Sequence, residues 1–201
     1  MLIEPDGTNP RPFPNQGDLT ASIYPSWYKD LQSIVVMETM IPDFARLYQI
    51  FVDTAPPVLL TPSSGFCAGR PSVNPTGTAV AFAGKEGPFD QKNNQIWIVQ
   101  PPSTSPFQLD PKQGRSPNWS PDGNWILFES NRGTGPNGNY QLWVSRAPSE
   151  QGPAVEPQPV TPPDVFASHG EWSRQQTQIV FDNAGNGEGI GIITVPPPFG
   201  M

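Results

Sequence analysis

Gly65-Phe66-Cys67-Ala68-Gly69 has the glycine spacing of a nucleophile elbow with a cysteine at its centre. A thiolate there would need a strand-to-helix turn that exposes it, with backbone N–H groups to hold an oxyanion. Arg70-Pro71-Ser72 and then a strand-like run follow, with no helix. The segment therefore reads as a flexible link between structural units. His169 is the only imidazole base in the chain, and nothing in the sequence pairs it with Cys67. One histidine also excludes a multi-histidine metal site within one chain. Asp182-Asn-Ala-Gly-Asn186-Gly187-Glu188 has the outline of a calcium loop. Ala184 stands where an oxygen ligand is needed, so the stretch reads as a turn, and neither a metal nor a cofactor is expected. Asp122 sits in Ser120-Pro-Asp-Gly123, where a carboxylate caps a turn. No catalytic set emerges.

Composition narrows the partners. Eleven Lys and Arg against 18 Asp and Glu give a net charge of −7, and the basic residues are scattered. Nucleic acid and acidic membrane surfaces are poor partners for such a chain. A single cysteine allows no intrachain disulfide. No stretch has the ~20 apolar residues of a spanning helix, so no membrane insertion is expected. The first residues, Met-Leu-Ile-Glu-Pro-Asp-Gly, show no signal-peptide pattern. The sequon Asn118-Trp-Ser120 falls at a tryptophan expected to be buried and reads as chance. The 28 prolines and 19 glycines are periodic, as turns between short strands would be.

The period comes from Trp119-Ser-Pro-Asp-Gly-Asn-Trp-Ile-Leu-Phe128. Pro121, Asp122 and Gly123 build a tight turn, and Ile126 and Phe128 alternate as on a half-buried strand. The frame recurs at Trp27, Val73 and Trp172, so that the four anchors stand 46, 46 and 53 residues apart. A proline or glycine stands two residues before each anchor: Pro25, Pro71, Pro117 and Gly170. Third strands follow at Leu47–Val52, Gln95–Val99, Gln141–Val144 and Ile190–Val195, and short fourth strands at Val58–Thr61, Phe107–Leu109 and Pro159–Thr161. Four strands per ~40–50 residues is the signature of propeller blades. The recurring tryptophans read as packing between blades.

The motif Trp-Ser-Pro-Asp-Gly-x-x-Ile-x-Phe, then Glu129-Ser-Asn-Arg132-Gly133 and Gln-Leu-Trp-Val144, resembles the TolB-type (WD-like) propeller repeat. The resemblance covers nearly the whole chain and implies an all-β fold of four recognisable four-stranded blades. Residues 1–201 then form one domain, with an N-terminal closing segment at 1–17 and blades at about 18–62, 63–110, 111–162 and 163–201. Residues Leu2–Phe13 read as the end of a repeat, and the last repeat lacks a fourth strand. Pairing of Arg11–Phe13 with Ile190–Val195 would close the ring. A compact four-bladed ring is the leading arrangement. A ring of eight blades from two self-associated chains and a larger ring in a longer chain stay open.

A propeller places function on its channel and loops. Three residues before each anchor stand Tyr24, Arg70, Ser116 and His169, with Arg115 beside them. These should converge at a channel mouth able to hold an anionic or peptide ligand. The second-to-third-strand loops are expected to carry Glu38, Glu86, Asp90, Arg132 and Asp182, with Phe44 and Phe89, for a protein partner. The resulting expectation is a non-enzymatic binding or scaffolding module, placed by the resemblance in the periplasm or outside the cell. One alternative is a channel enzyme acting on a saccharide or peptide with a carboxylate pair. Another is a repeated structural subunit of a larger extracellular assembly. No G-x-S-x-G is present for a peptidase half.

Overall fold

The computed structural model describes residues 6–10, 19, 22–40, 44–53, 55–88, 93–134, 138–148, 156–183 and 189–195. Among them there are fifteen strands and no helix. The first sheet is β1 (Ser22–Trp27), β2 (Ser33–Met40), β3 (Phe44–Phe51) and β4 (Val58–Leu59). The second is β5 (Phe66–Val73), β6 (Val80–Glu86), β7 (Gln95–Val99) and β8 (Phe107–Asp110). The third is β9 (Arg115–Trp119), β10 (Trp125–Ser130), β11 (Gln141–Arg146) and β12 (Gln158–Pro159). The fourth has β13 (Ala167–Trp172), β14 (Gln178–Asn183) and β15 (Ile190–Thr194). Each sheet is an antiparallel meander in chain order, which is the topology of a propeller blade. The proposed closing residues Arg11–Phe13 lie outside the described residues.

The turn after each anchor is built once and repeated. Leu31, Gly77, Gly123 and Gln176 stand four residues past the anchors and all have positive φ, at 56°, 77°, 76° and 56°. Each donates its N–H to the carbonyl three residues back, on Tyr28, Asn74, Ser120 and Ser173. The outer repeats thus keep the turn without its glycine. Gln176 is fully buried and Leu31 is exposed.

Alternation along the strands gives each blade two apolar faces, and the core lies between blades. Val35, Met37 and Leu47 meet Phe66, Val80 and Phe82 between the first and second blades. Ala81, Ile96 and Ile98 meet Trp119, Ile126 and Phe128 between the second and third. Leu127, Leu142 and Val144 meet Trp172, Ile179 and Phe181 between the third and fourth. Each such large side chain contributes about 1.5–3 kcal/mol by burial. Gly170 replaces the inner-strand proline because a Cβ there would stand 2.8 Å from Leu127 Cδ2 and 2.9 Å from Leu142 Cδ1.

Polar bonds join consecutive blades at the anchors. Trp119 Nε1 donates to the Ser72 carbonyl at 3.1 Å, and Trp172 Nε1 donates to the Asn118 carbonyl at 3.3 Å. Ser26 and Ser72 hydroxyls accept the N–H of Val73 and Trp119. Trp27 differs from the packing expected of it. It is 48% exposed, because among the described residues no blade packs on that side of the first one. Sheet packing runs from first blade to second, second to third and third to fourth. The fourth blade leaves Val180, Ile190 and Ile192 exposed.

The supposed link at Gly65–Gly69 is corrected. Its last four residues open β5, the innermost strand of the second blade, and all four are buried. Cys67 is 1% exposed and its Sγ accepts the Ala45 N–H at 3.2 Å. The thiol is a core group, which accounts for the missing helix.

Candidate functional site

The innermost strands β1, β5, β9 and β13 each carry one residue held in the left-handed region. These are Tyr24 (φ 54°), Arg70 (φ 50°), Ser116 (φ 50°) and His169 (φ 50°). The pairing register slips at the same points, as at a β-bulge. A bulge re-aims a side chain, and strain of about 1–3 kcal/mol at each non-glycine residue is tolerated where neighbours fix it. The following Pro25, Pro71 and Pro117 supply no N–H to the interrupted ladder.

All four side chains border one open cavity of about 250 Å³. Arg70 is its hub. Its Nη1 donates to Ser116 Oγ at 2.7 Å and faces His169 Nε2 at 3.4 Å. Its guanidinium lies 5.0 Å from the centre of the Tyr24 ring. His169 Nδ1 stands 2.8 Å from Asp182 Oδ2. A carboxylate can only accept, so Nδ1 carries the proton and Nε2 turns its lone pair to Arg70. Both side chains are about half exposed.

Arg115 lies one layer deeper. Its Nε donates to Glu129 Oε2 at 2.6 Å, and its guanidinium stacks 3.6 Å from the Tyr140 ring centre. The Glu129 side chain has no exposed surface, and its Oε1 accepts the His169 N–H at 2.9 Å. Glu129 thus ties the third blade's arginine to the fourth blade's bulge.

A second, more enclosed cavity of about 180 Å³ lies behind the mouth. Ile23, Tyr24, Met37, Thr39, Gly69, Arg70, Ala83, Asn94 and Arg115 line it. At the opposite end of the channel, about 540 Å³ of space is bordered by the anchors Trp27, Val73, Trp119 and Trp172.

Sequence spacing brings Tyr24, Arg70, Arg115 and His169 to one place, and Asp182 joins them through His169. Arg132 does not join them. Its guanidinium is 7% exposed, paired with Asp110 and set between the Phe128 and Trp143 rings, each 5.0 Å away. Glu38 lies in β2 and is buried, so it is not a loop residue. Phe89, Asp90, the Phe44 side chain and residues 184–188 of the calcium-like loop lie outside the described residues. Among the described residues no group of three His, Cys, Asp or Glu could hold a metal. Among the described residues no helix is long and apolar enough to cross a membrane. Glu129, Asn94 and Tyr140 escaped the sequence reading. Asn94 and Tyr140 hold one repeat position, directly before the third strands β7 and β11, so the period marks their place, but only tertiary packing sets them beside Arg70 and Arg115.

No family model and no curated protein matches the chain. Solved structures do. TolB from Acinetobacter baumannii superimposes with a TM-score of 0.66 at 18% identity, over 86% of this chain and 40% of that one. A putative TolB from Agrobacterium tumefaciens gives 0.70 at 16% identity, over 90% of this chain and 64% of that one. A Mycobacterium tuberculosis puromycin-hydrolyzing peptidase gives 0.59 at 19% identity, over 82% of this chain and 28% of that one. The fold is a TolB-like β-propeller, and the chain spans less than two thirds of the length of each of these proteins.

Proposed function

We propose that this propeller is a non-enzymatic binding module that presents its channel mouth to a protein partner. The observation that carries it is Arg70. It sits where four strained inner-strand residues converge, and it has no carboxylate partner among the described residues. Strain held at a cavity by three neighbours pre-organises a binding surface. The arginine with Tyr24 supplies the kind of centre that dominates protein recognition. TolB-like structures support a site outside the cytoplasm, in the periplasm or beyond the cell.

An enzymatic channel is the weaker reading. Of the carboxylates near the mouth, Asp182 and Glu129 are engaged with His169, Glu129 is fully buried under Arg115, and Glu171, which borders the mouth cavity, accepts a hydrogen bond from the Asn118 amide. A glycosidase pair needs two carboxyl groups facing a substrate. The similarity to a peptidase keeps a peptidase-associated role as the second reading.

The test is selection of a random peptide library on the immobilised chain, with counter-selection on the Tyr24→Ala/Arg70→Glu variant. Enriched peptides should bind the wild type and shift NMR signals of β1, β5, β9 and β13. No enrichment, or shifts confined to other strands, would overturn the proposal.

A further inference from the structure

We infer that the 180 Å³ cavity behind the mouth is a subsite for an N-acylated α-carboxylate, the chemistry of a peptide C-terminus. The inference rests on the binding-module reading and names what that module grips.

Three observations converge on it. First, both arginines on the cavity have unused donors. Among the described residues, Arg70 bonds only through Nη1, and Arg115 only through Nε. The remaining N–H groups of two guanidiniums can fork onto one carboxylate. Glu129 balances only one of the two charges, so an added anion is compensated. Second, Asn94 lines the same cavity, is 7% exposed, and its Oδ1 has no hydrogen-bond partner. An orphaned buried acceptor is costly to keep, and an amide N–H beside the carboxylate would satisfy it. Third, the rest of the wall is Ile23, Met37, Gly69 and Ala83, which suits a small apolar side chain. Gly69 keeps this wall open, since a Cβ there would meet Met37 Sδ at 2.8 Å. The volume suits one terminal residue, not a run of chain.

Binding of acetyl-alanyl-alanine, its C-terminal amide, N-acetylalanine and acetate would be followed by NMR at the Arg Nε–H signals and the Met37 methyl. The free acid should shift both saturably, and the amide should bind at least about tenfold more weakly, a charge-assisted pair being lost. N-acetylalanine matching the dipeptide would support the inference with a free small molecule as ligand source. Weaker N-acetylalanine binding would support it with a peptide end as source. Arg70→Gln should match the loss seen with the amide, and Arg70→Lys should fall between. If Arg70→Gln does not fold, wild-type binding must still fade as the ligand carboxylate protonates below about pH 4. Equal binding of acid and amide, or acetate as tight as N-acetylalanine, would overturn the inference. Library peptides held at the mouth regardless of C-terminal amidation would also overturn it, yet leave the binding-module reading intact.

Discussion

Gln176 of the fourth blade clasps Asp122 of the third: its Nε2 donates to Asp122 Oδ2 at 3.2 Å, and its Oε1 accepts the Asp122 N–H at 3.3 Å. The two residues occupy neighbouring blades' turns. The side chain that costs the fourth turn its glycine is therefore the one that fastens it to the third.

This gives opposite signs to one substitution at two equivalent positions. Leu31 has the same φ of 56° but is 64% exposed. Leu31→Gly removes left-handed strain and should raise stability by about 0.5 kcal/mol after the entropy of the unfolded glycine is counted. Gln176→Gly relieves the same strain but strips a buried side chain from Asp122, and should lower stability by about 1–3 kcal/mol. Urea unfolding followed by tryptophan fluorescence decides both. A gain at both positions would show the clasp to be idle.

Asp122 should also make the fold acid-sensitive. Burial alone would raise its pKa, but hydrogen bonds from Ser120, Asn124 and Gln176 outweigh this and hold it below the ordinary 3.8. A pKa depressed in the folded state adds stability that is present above the unfolded value and lost as pH falls through the folded one. The wild type should therefore lose more stability than Asp122→Asn between pH 6 and pH 2.5. Parallel urea midpoints across that range would contradict it.

These turns also show what the sequence could convey. Anchor spacing located the blades because every inter-blade seam reuses the same position, as in the indole bonds of Trp119 and Trp172. It placed Arg70 and His169 together for the same reason. It misplaced Gly65–Gly69 because glycine reads as a loop, whereas Gly69 leaves room for Met37 on a packed strand. It misjudged Arg132, since a charge in a polar loop gives no sign of a buried carboxylate such as Asp110 reaching it. Asn94 was invisible because an unsatisfied acceptor is a property of surroundings, not of residue type.

Arg115 and Glu129 should be costly to separate. Arg115→Ala leaves a carboxylate with no exposed surface and without its cation, at about 3–5 kcal/mol. Glu129→Gln keeps an acceptor for the His169 N–H and should cost clearly less. Replacing both by leucine should recover part of the Arg115→Ala loss, since no buried charge remains. Thermal unfolding of the three variants checks the order. An Arg115→Ala loss below that of Glu129→Gln would contradict it.

Gly170 should resist even one added carbon. The fourth blade lies against Leu127 and Leu142 there, both buried. Gly170→Ala should cost about 1–3 kcal/mol by overpacking. Leu142→Ala in the same chain should offset part of that cost, although it is destabilising alone. Additive losses in the double-mutant cycle would show that the two positions do not meet.

Ser116 should separate stability from binding. It holds φ at 50°, where a serine is strained, and its Oγ accepts from Arg70 Nη1 at 2.7 Å. Ser116→Gly frees the backbone and should leave stability unchanged or higher by up to about 1 kcal/mol. The same change removes the hydroxyl that fixes the guanidinium, so Arg70 must lose freedom when a ligand arrives. Ordering one long side chain costs about 0.5–1.5 kcal/mol, a loss of roughly twofold to tenfold in affinity. Ser116→Ala removes the hydroxyl and keeps the strained backbone. It should weaken binding of a library-selected peptide by a similar factor without any gain in stability. If Ser116→Gly binds as tightly as the wild type while Ser116→Ala does not, the hydroxyl is not what holds Arg70 ready.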